Sequence, residues 1–154
     1  MSPGEVMDNF KIVKIDSNYC DYLRKFDNRV VYNEGIKELR PFIGVLFTVN
    51  KCKYYAPLSS PKAKHLYLKN TLDLIKIAEG TLGVINLNSM IPVKENNYTP
   101  FDLNTQPTDD KERKSLILLR NQLRWLTSHK GKVLNKAENL YKKYVMGLLP
   151  KNVV

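Results

Sequence analysis

Cysteine, histidine and acid are scarce in this chain, and each shortage removes a class of function. Cys20 and Cys52 lie far apart and outside any CxxC pair, and His65 and His129 are the only two histidines. That set lacks the ligand spacing of a zinc site, so no metal or other cofactor is expected. The two thiols read as reduced and structural, which fits the cytoplasm. No apolar run reaches the length of about eighteen residues that a bilayer span needs. The first residues carry Glu5 and Asp8 with no apolar stretch, unlike a secretory leader. Residues 1–10 read as a loose extension of a single domain spanning 1–154. Paired carboxylates suited to hydrolysis are missing, and so is a G-x-S-x-G nucleophile elbow.

The shortage of acid leaves a strong positive charge. Fifteen Asp and Glu face twenty-five Lys and Arg, a net charge of +10. Such a field draws polyanions: nucleic acid, an anionic membrane surface or an acidic protein. The charge is regional. Residues 111–143 hold ten basic side chains against Glu112 and Glu138, while residues 51–70 hold five lysines and no acid. The second stretch interleaves Tyr54, Tyr55, His65 and Tyr67 with its lysines. That mixture suits single-stranded RNA, whose bases stack on rings while ammonium groups meet phosphates. Tyrosines on strands also pack into sheets, so both roles stay open for each ring.

Hydrophobic periodicity gives the elements. Residues 11–15 alternate as a strand. Ser17 caps a helix over 18–26, with Tyr19, Tyr22, Leu23 and Phe26 on one face. Residues 29–40 read as a polar loop. The run 41–49 is apolar on both faces, as in a central strand. Asn50-Lys51 turns it into a second strand over 52–56. Residues 57–62 read as a rigid loop, because Pro57 and Pro61 fix φ around two serines. Residues 64–70 read as strand or coil. Residues 72–77 and 82–87 form a strand pair turning at Glu79-Gly80, and 90–93 form an edge strand. Residues 96–107 read as a polar loop. A helix starts at Thr108-Asp109-Asp110 and runs to about Thr127. Leu116, Leu119, Leu123 and Leu126 form its core stripe, and Arg113, Arg120 and Arg124 share another face. A last helix carries Val133, Ala137, Leu140 and Tyr144 inward and stops near Gly147. The sum is an α+β domain: a compact, mostly antiparallel sheet decorated with helices, two of them C-terminal.

Ser59-Ser60-Pro61-Lys62 is the strongest chemical candidate. Cutting RNA without a metal needs the ribose 2′-hydroxyl aligned on its phosphate, proton transfer, and stabilisation of phosphorane charge. A rigidly held serine hydroxyl and an ammonium two residues on can meet one phosphate. The same pattern also serves as a plain turn. His65, five residues after Ser60, is a further candidate for proton transfer or RNA contact.

Three blocks of sequence carry a resemblance: Phe42-Ile43-Gly44-Val45; Lys53-Tyr54-Tyr55-Ala56-Pro57-Leu58-Ser59-Ser60-Pro61-Lys62; and Leu82-Gly83-Val84-Ile85-Asn86-Leu87-Asn88-Ser89-Met90-Ile91-Pro92. With Tyr22 to Asp27 and Gln122-Leu123, and in this order over residues 11–145, they resemble the ToxN/AbiQ toxins of type III toxin–antitoxin systems. The resemblance implies an antiparallel core related to the MazF/Kid toxins. It implies a metal-independent, sequence-specific endoribonuclease leaving 2′,3′-cyclic phosphate and 5′-hydroxyl ends. It also implies processing of a repeat-containing precursor into small pseudoknotted antitoxin RNAs, which inhibit the toxin in protein–RNA hetero-oligomers and leave cellular RNA as the target of free toxin. No protein antitoxin and no membrane partner are implied, and phage defence is.

By the same resemblance, the catalytic serine corresponds to Ser60, its hydroxyl neighbour to Ser59, the loop lysine to Lys62, and the basic residue before the Phe-Ile-Gly strand to Arg40. An active-site tyrosine corresponds loosely to Tyr32, in a loop whose length departs from the family's. Lys53, Tyr54, Lys64, His65, Lys111, Arg113, Arg120, Gln122 and Arg124 are the expected RNA contacts. The competing readings are a non-catalytic RNA-binding module and a MazF-like toxin with an acidic protein antitoxin.

Overall fold

In the computed structural model, residues 10–26, 40–69 and 71–147 are described. Their strands are β1 (Lys11–Ile15), β2 (Phe42–Gly44), β3 (Thr48–Val49), β4 (Cys52–Ser59), β5 (Leu74–Lys76), β6 (Val84–Asn86), β7 (Ile91–Val93) and β8 (Tyr98–Pro100). Their helices are α1 (Ser17–Arg24), α2 (Asp110–Ser128) and α3 (Lys130–Val145). Every pairing between strands is antiparallel. The sheet runs β5-β6-β4-β2-β1-β8, and β3 and β7 also pair with β4.

β4 is the spine, and it changes partners along its length. Lys53 pairs with Thr48 and Val93, whereas Pro57 pairs with Phe42 and Leu58 with Ile85. Pro57 therefore lies within the strand, not in the loop expected from its φ restriction, and the loop shrinks to the residues after Ser59. Pro57 lacks a donor, and the ladder resumes beside it with the Leu58 N–H donating to the Pro41 carbonyl at 2.9 Å. Gly44 is needed opposite β4, because a Cβ there would meet the Tyr55 ring at 2.4 Å.

Both faces of the sheet are covered, which accounts for the two-sided apolar run. Ile12, Ile43, Leu58 and Ile85 pack with Leu119 and Leu126 of α2 and with Val133, Ala137 and Leu140 of α3. Their strand neighbours Val13, Phe42 and Tyr55 turn to the other face with Cys20 of α1. Each fully buried aliphatic side chain contributes about 1.5–3 kcal/mol.

Several boundaries differ from the expectation. Asp16 caps α1 by accepting from the Asn18 N–H at 3.3 Å. Tyr22 and Phe26 stay exposed, packed edge to face on each other. Phe10, expected in the loose extension, is buried in the core. The polar segment after Asn96 contains β8, which closes the sheet against β1. Ala63–Leu66 forms a 3-10 helix in place of a strand or coil. Tyr144, expected to face inward on α3, is exposed. Among the described residues, no helix is long and apolar enough to cross a membrane.

Candidate active site

The Ser60 corner begins where β4 ends. Ser59 is half-buried, and Ser60, Pro61, Lys62 and Lys64 are exposed. Three supports fix the backbone that carries them. The first is local and reciprocal: the Lys62 N–H donates to His65 Nδ1 at 3.1 Å, and the His65 N–H donates to the Lys62 carbonyl at 2.9 Å. The second is a tight turn packed underneath. Gly83 has φ +101°, and a Cβ on it would lie 1.9 Å from the Ser59 carbonyl; Gly80 has φ +93°, and its Cβ would lie 2.5 Å from the His65 carbonyl. Only glycine allows both close approaches. The third is Gln122 of α2, whose Nε2 donates to the carbonyls of Ser59 and Leu82.

Across β4, the pairing Phe42↔Pro57 followed by the Pro41–Leu58 bond carries the register onward. Arg40, half-buried, directly precedes Pro41 where the chain enters β2, at the end of the sheet where β4 runs out. The fold thus brings Arg40, Ser59, Ser60 and Lys62 to one end of the sheet. Tyr32 lies outside the described residues.

Two expected RNA contacts are corrected by burial. His65 is 2% exposed and Gln122 1% exposed, so both hold the corner from below and present almost no surface of their own. Burial pushes the His65 imidazole below its ordinary value, and the charges of Lys64 and Lys62 push it the same way. Burial thus disfavours the charged ring, and Nδ1 accepts from the Lys62 backbone. Gln122 was legible in principle: it sits between Leu119 and Leu126 on the apolar stripe of α2, where a polar side chain must find partners.

The remaining candidates differ in exposure. Tyr54 is half-buried and stacks on Phe47 at 4.6 Å, with Tyr141 of α3 at 5.7 Å. Its hydroxyl is raised in pKa by burial and then by Tyr141. Tyr55 is buried core, whereas Tyr67, at 84% exposed, keeps its ring available to a base. Lys111, Arg113, Arg120 and Arg124 are exposed along α2. Arg113 pairs with Asp110 of the first turn, and Arg120 Nε donates to the Leu103 carbonyl at 2.7 Å. Lys53 is half-buried on β4. Among the described residues, no group of three or more His, Cys, Asp or Glu side chains could hold a metal ion.

Residues 11–152 match the family model described as toxin ToxN of a type III toxin–antitoxin system. The chain is 33% identical over 135 residues to the endoribonuclease ToxN of Bacillus thuringiensis subsp. kurstaki, covering 88% of this chain and 69% of that protein. A solved structure from work on a processed non-coding RNA that regulates a bacterial antiviral system superposes with a TM-score of 0.77 at 31% identity, covering 92% of this chain and 90% of that one. A second, from work on selective toxin inhibition by a non-coding RNA pseudoknot, gives 0.74 at 31% identity over 87% and 79%.

Proposed function

The chain belongs to the ToxN toxin family of type III toxin–antitoxin systems, and from that premise we propose that it is an endoribonuclease that cuts RNA at the Ser60–Lys62 corner without a metal. The ribose 2′-oxygen attacks the adjacent phosphorus while the bond from phosphorus to the 5′-oxygen breaks. One proton leaves the 2′-hydroxyl and one arrives at the departing oxygen. The products are a 2′,3′-cyclic phosphate and a 5′-hydroxyl, and no covalent enzyme intermediate forms. The Ser60 hydroxyl donates to a non-bridging oxygen, and Lys62 and Arg40 neutralise the charge that grows there. Ser59 supports the same phosphate from the strand end.

The observation that carries this reading is the combination of exposure and rigidity at one corner. Ser60 and Lys62 reach solvent, while the backbone around them is held by His65, by the Gly80–Gly83 turn and by Gln122. A site that pays for orientation before substrate arrives lowers the barrier when it does.

The substrate is cellular RNA and, in the same chemistry, a repeat-containing precursor of the chain's own antitoxin. That antitoxin is a small pseudoknotted RNA, which inhibits the toxin in a protein–RNA hetero-oligomer in the cytoplasm, with no protein antitoxin. Lys53, Tyr54, Lys64, Lys111, Arg113, Arg120 and Arg124 supply contacts along its path. The test is purified protein incubated with RNA in the presence of EDTA. Cyclic phosphate ends from wild type, and none from Ser60→Ala, are expected. Equal cleavage by Ser60→Ala, or loss of wild-type activity to EDTA, overturns the mechanism.

A further inference from the structure

Away from the Ser60 corner, α3 and the residues leading into β5 border an open cleft of about 470 Å³ lined by Leu72, Lys132, Asn135, Lys136, Asn139, Leu140 and Lys143. We propose that this cleft is a subsite for one nucleotide of bound RNA, a second hold on the strand outside the scissile bond. The proposal rests on the reading of the chain as an RNA-cutting toxin.

The helical spacing explains why the cleft exists. Positions 132, 135, 136, 139 and 143 fall on one stripe of α3, while Val133, Ala137 and Leu140 are buried against the sheet. Glu138 is off this stripe and pairs with Lys142, so the lining has three ammonium groups and no carboxylate. An ordinary solvated helix face mixes signs. Lys136 is half-buried, and its Nζ donates to the Leu74 carbonyl. Burial, and then Lys132, lower its pKa, against a smaller opposing effect of Asp73. A cation held in a partly dry, positively charged cleft is stabilised by an incoming anion.

The two asparagines decide which anion. Ammonium groups alone suit any phosphate or an acidic peptide. Asn135 and Asn139 each add a donor and an acceptor on one planar amide, the pairing that matches the edge of a nucleobase. Leu72, 38% exposed at the wall, offers an apolar surface to the base. The volume falls in the range of about 300–1,000 Å³ typical of small-ligand sites. The cleft is tied to the active corner through β5. Lys136 holds Leu74 on that strand, and Lys76 on the same strand donates to the carbonyls of Leu66 at 3.4 Å and Leu68 at 3.2 Å.

The test uses the full chain carrying Ser60→Ala, so that RNA binds without being cut, and a short fluorescent single-stranded RNA of random sequence. Two double variants are compared with this parent: Asn135→Ala with Asn139→Ala, and Lys132→Gln with Lys143→Gln. Lys136 is left intact because it holds β5, and thermal melts check that each variant folds. Both pairs are expected to weaken binding about tenfold. The lysine pair should also flatten the salt dependence by roughly one to two units of slope, and the asparagine pair should leave it unchanged. With Ser60 restored, KM for RNA should rise while kcat holds. Unchanged affinity in both pairs overturns the proposal. An effect of the lysines without one of the asparagines overturns the nucleotide assignment in favour of a bare anion patch. In either case a parent that still binds RNA leaves the proposed function standing. A parent that binds no RNA, and cuts none with Ser60 restored, removes both.

Discussion

Gln122 Nε2 lies 3.4 Å from the Ser59 carbonyl and 2.9 Å from that of Leu82, so one buried amide on α2 joins the end of β4 to the turn beneath it. Two carbonyls facing one group require a donor, which fixes the orientation of the amide. Its Oε1 is buried without a hydrogen-bond partner, a cost the fold accepts to hold the corner. Gln122→Met keeps the length and loses both bonds. The expected result is a loss of about 1–3 kcal/mol of stability and a fall in kcat larger than any change in KM. Denaturant unfolding and steady-state cleavage check it. Wild-type kcat in this variant would show that the corner keeps its geometry unaided.

The chemistry itself is tested at Ser60 and Lys62. Ser60→Ala removes one donor to the developing charge and should lower cleavage by about 10²–10³-fold. Ser60 is exposed, so stability and RNA affinity should hardly move. Lys62→Met should lower cleavage comparably and also weaken binding, because its ammonium contributes in the ground state as well. Gel-shift titration beside a cleavage assay separates the two. If Ser60→Ala lost binding and cleavage in equal proportion, the serine would be a recognition residue.

Much of this was legible in the sequence, and the exceptions share a cause. β1, the turn at Asn50 and Lys51 and the stripe of α2 follow from local periodicity and turn preference. Both turn residues take positive φ, as the hairpin requires. The serine loop and its lysine were visible as a motif. What escaped depended on contacts between distant segments. Pro57 reads locally as a loop, yet β4 carries it because the ladder resumes on both sides. β8 lies in a polar stretch with no period of its own and is a strand because β1 offers it an edge. His65 reads as a surface polar group, and only the packing of the Gly80–Gly83 turn shows that it is sealed beneath the corner; Gln122 shows its burial in the stripe of α2 but not the two carbonyls it meets.

Gly83 gives a sharp steric prediction. A methyl group there would meet the Ser59 carbonyl at 1.9 Å in a backbone conformation at φ +101°. Neither backbone can yield without moving the corner, so Gly83→Ala should cost about 3 kcal/mol or more, at the top of the overpacking range. Gly147 is the control. It too has positive φ, +70°, but open space around its Cβ position, so Gly147→Ala should cost only about 1–2 kcal/mol. Equal melting temperatures for the two variants would remove the close approach as the reason for glycine at 83.

His65 predicts a pH dependence of stability. Its folded pKa lies below the ordinary imidazole value of 6.5. Above that value the imidazole is neutral in both states and its hydrogen bond with Lys62 contributes fully. As pH falls from 6.5 toward the folded pKa, the unfolded chain takes up a proton that the folded chain refuses, and stability is lost. His65→Asn keeps an acceptor for the Lys62 N–H but cannot titrate in this range. It should flatten this part of the stability curve, measured by urea unfolding between neutral and mildly acidic pH. An unaltered slope would assign the acid sensitivity to other groups.

The arginines of α2 should not be equal in RNA binding. Arg113 already pairs with Asp110, a neighbour that also holds Lys114 at 3.3 Å. Arg120 spends Nε on the Leu103 carbonyl but keeps its terminal nitrogens at the surface. A cation neutralised by its own helix releases fewer counterions when it meets a phosphate, so its removal changes the salt dependence less. Replacing Arg120 or Arg124 with Gln should flatten the plot of affinity against salt by roughly 0.7 units, the value for one phosphate of a single strand. Arg113→Gln should flatten it less. Asp110→Asn should release Arg113 and steepen the slope. If Arg113→Gln gave the largest change of the three, the Asp110 pair would have to open on binding, and RNA would run along the N-terminal end of α2.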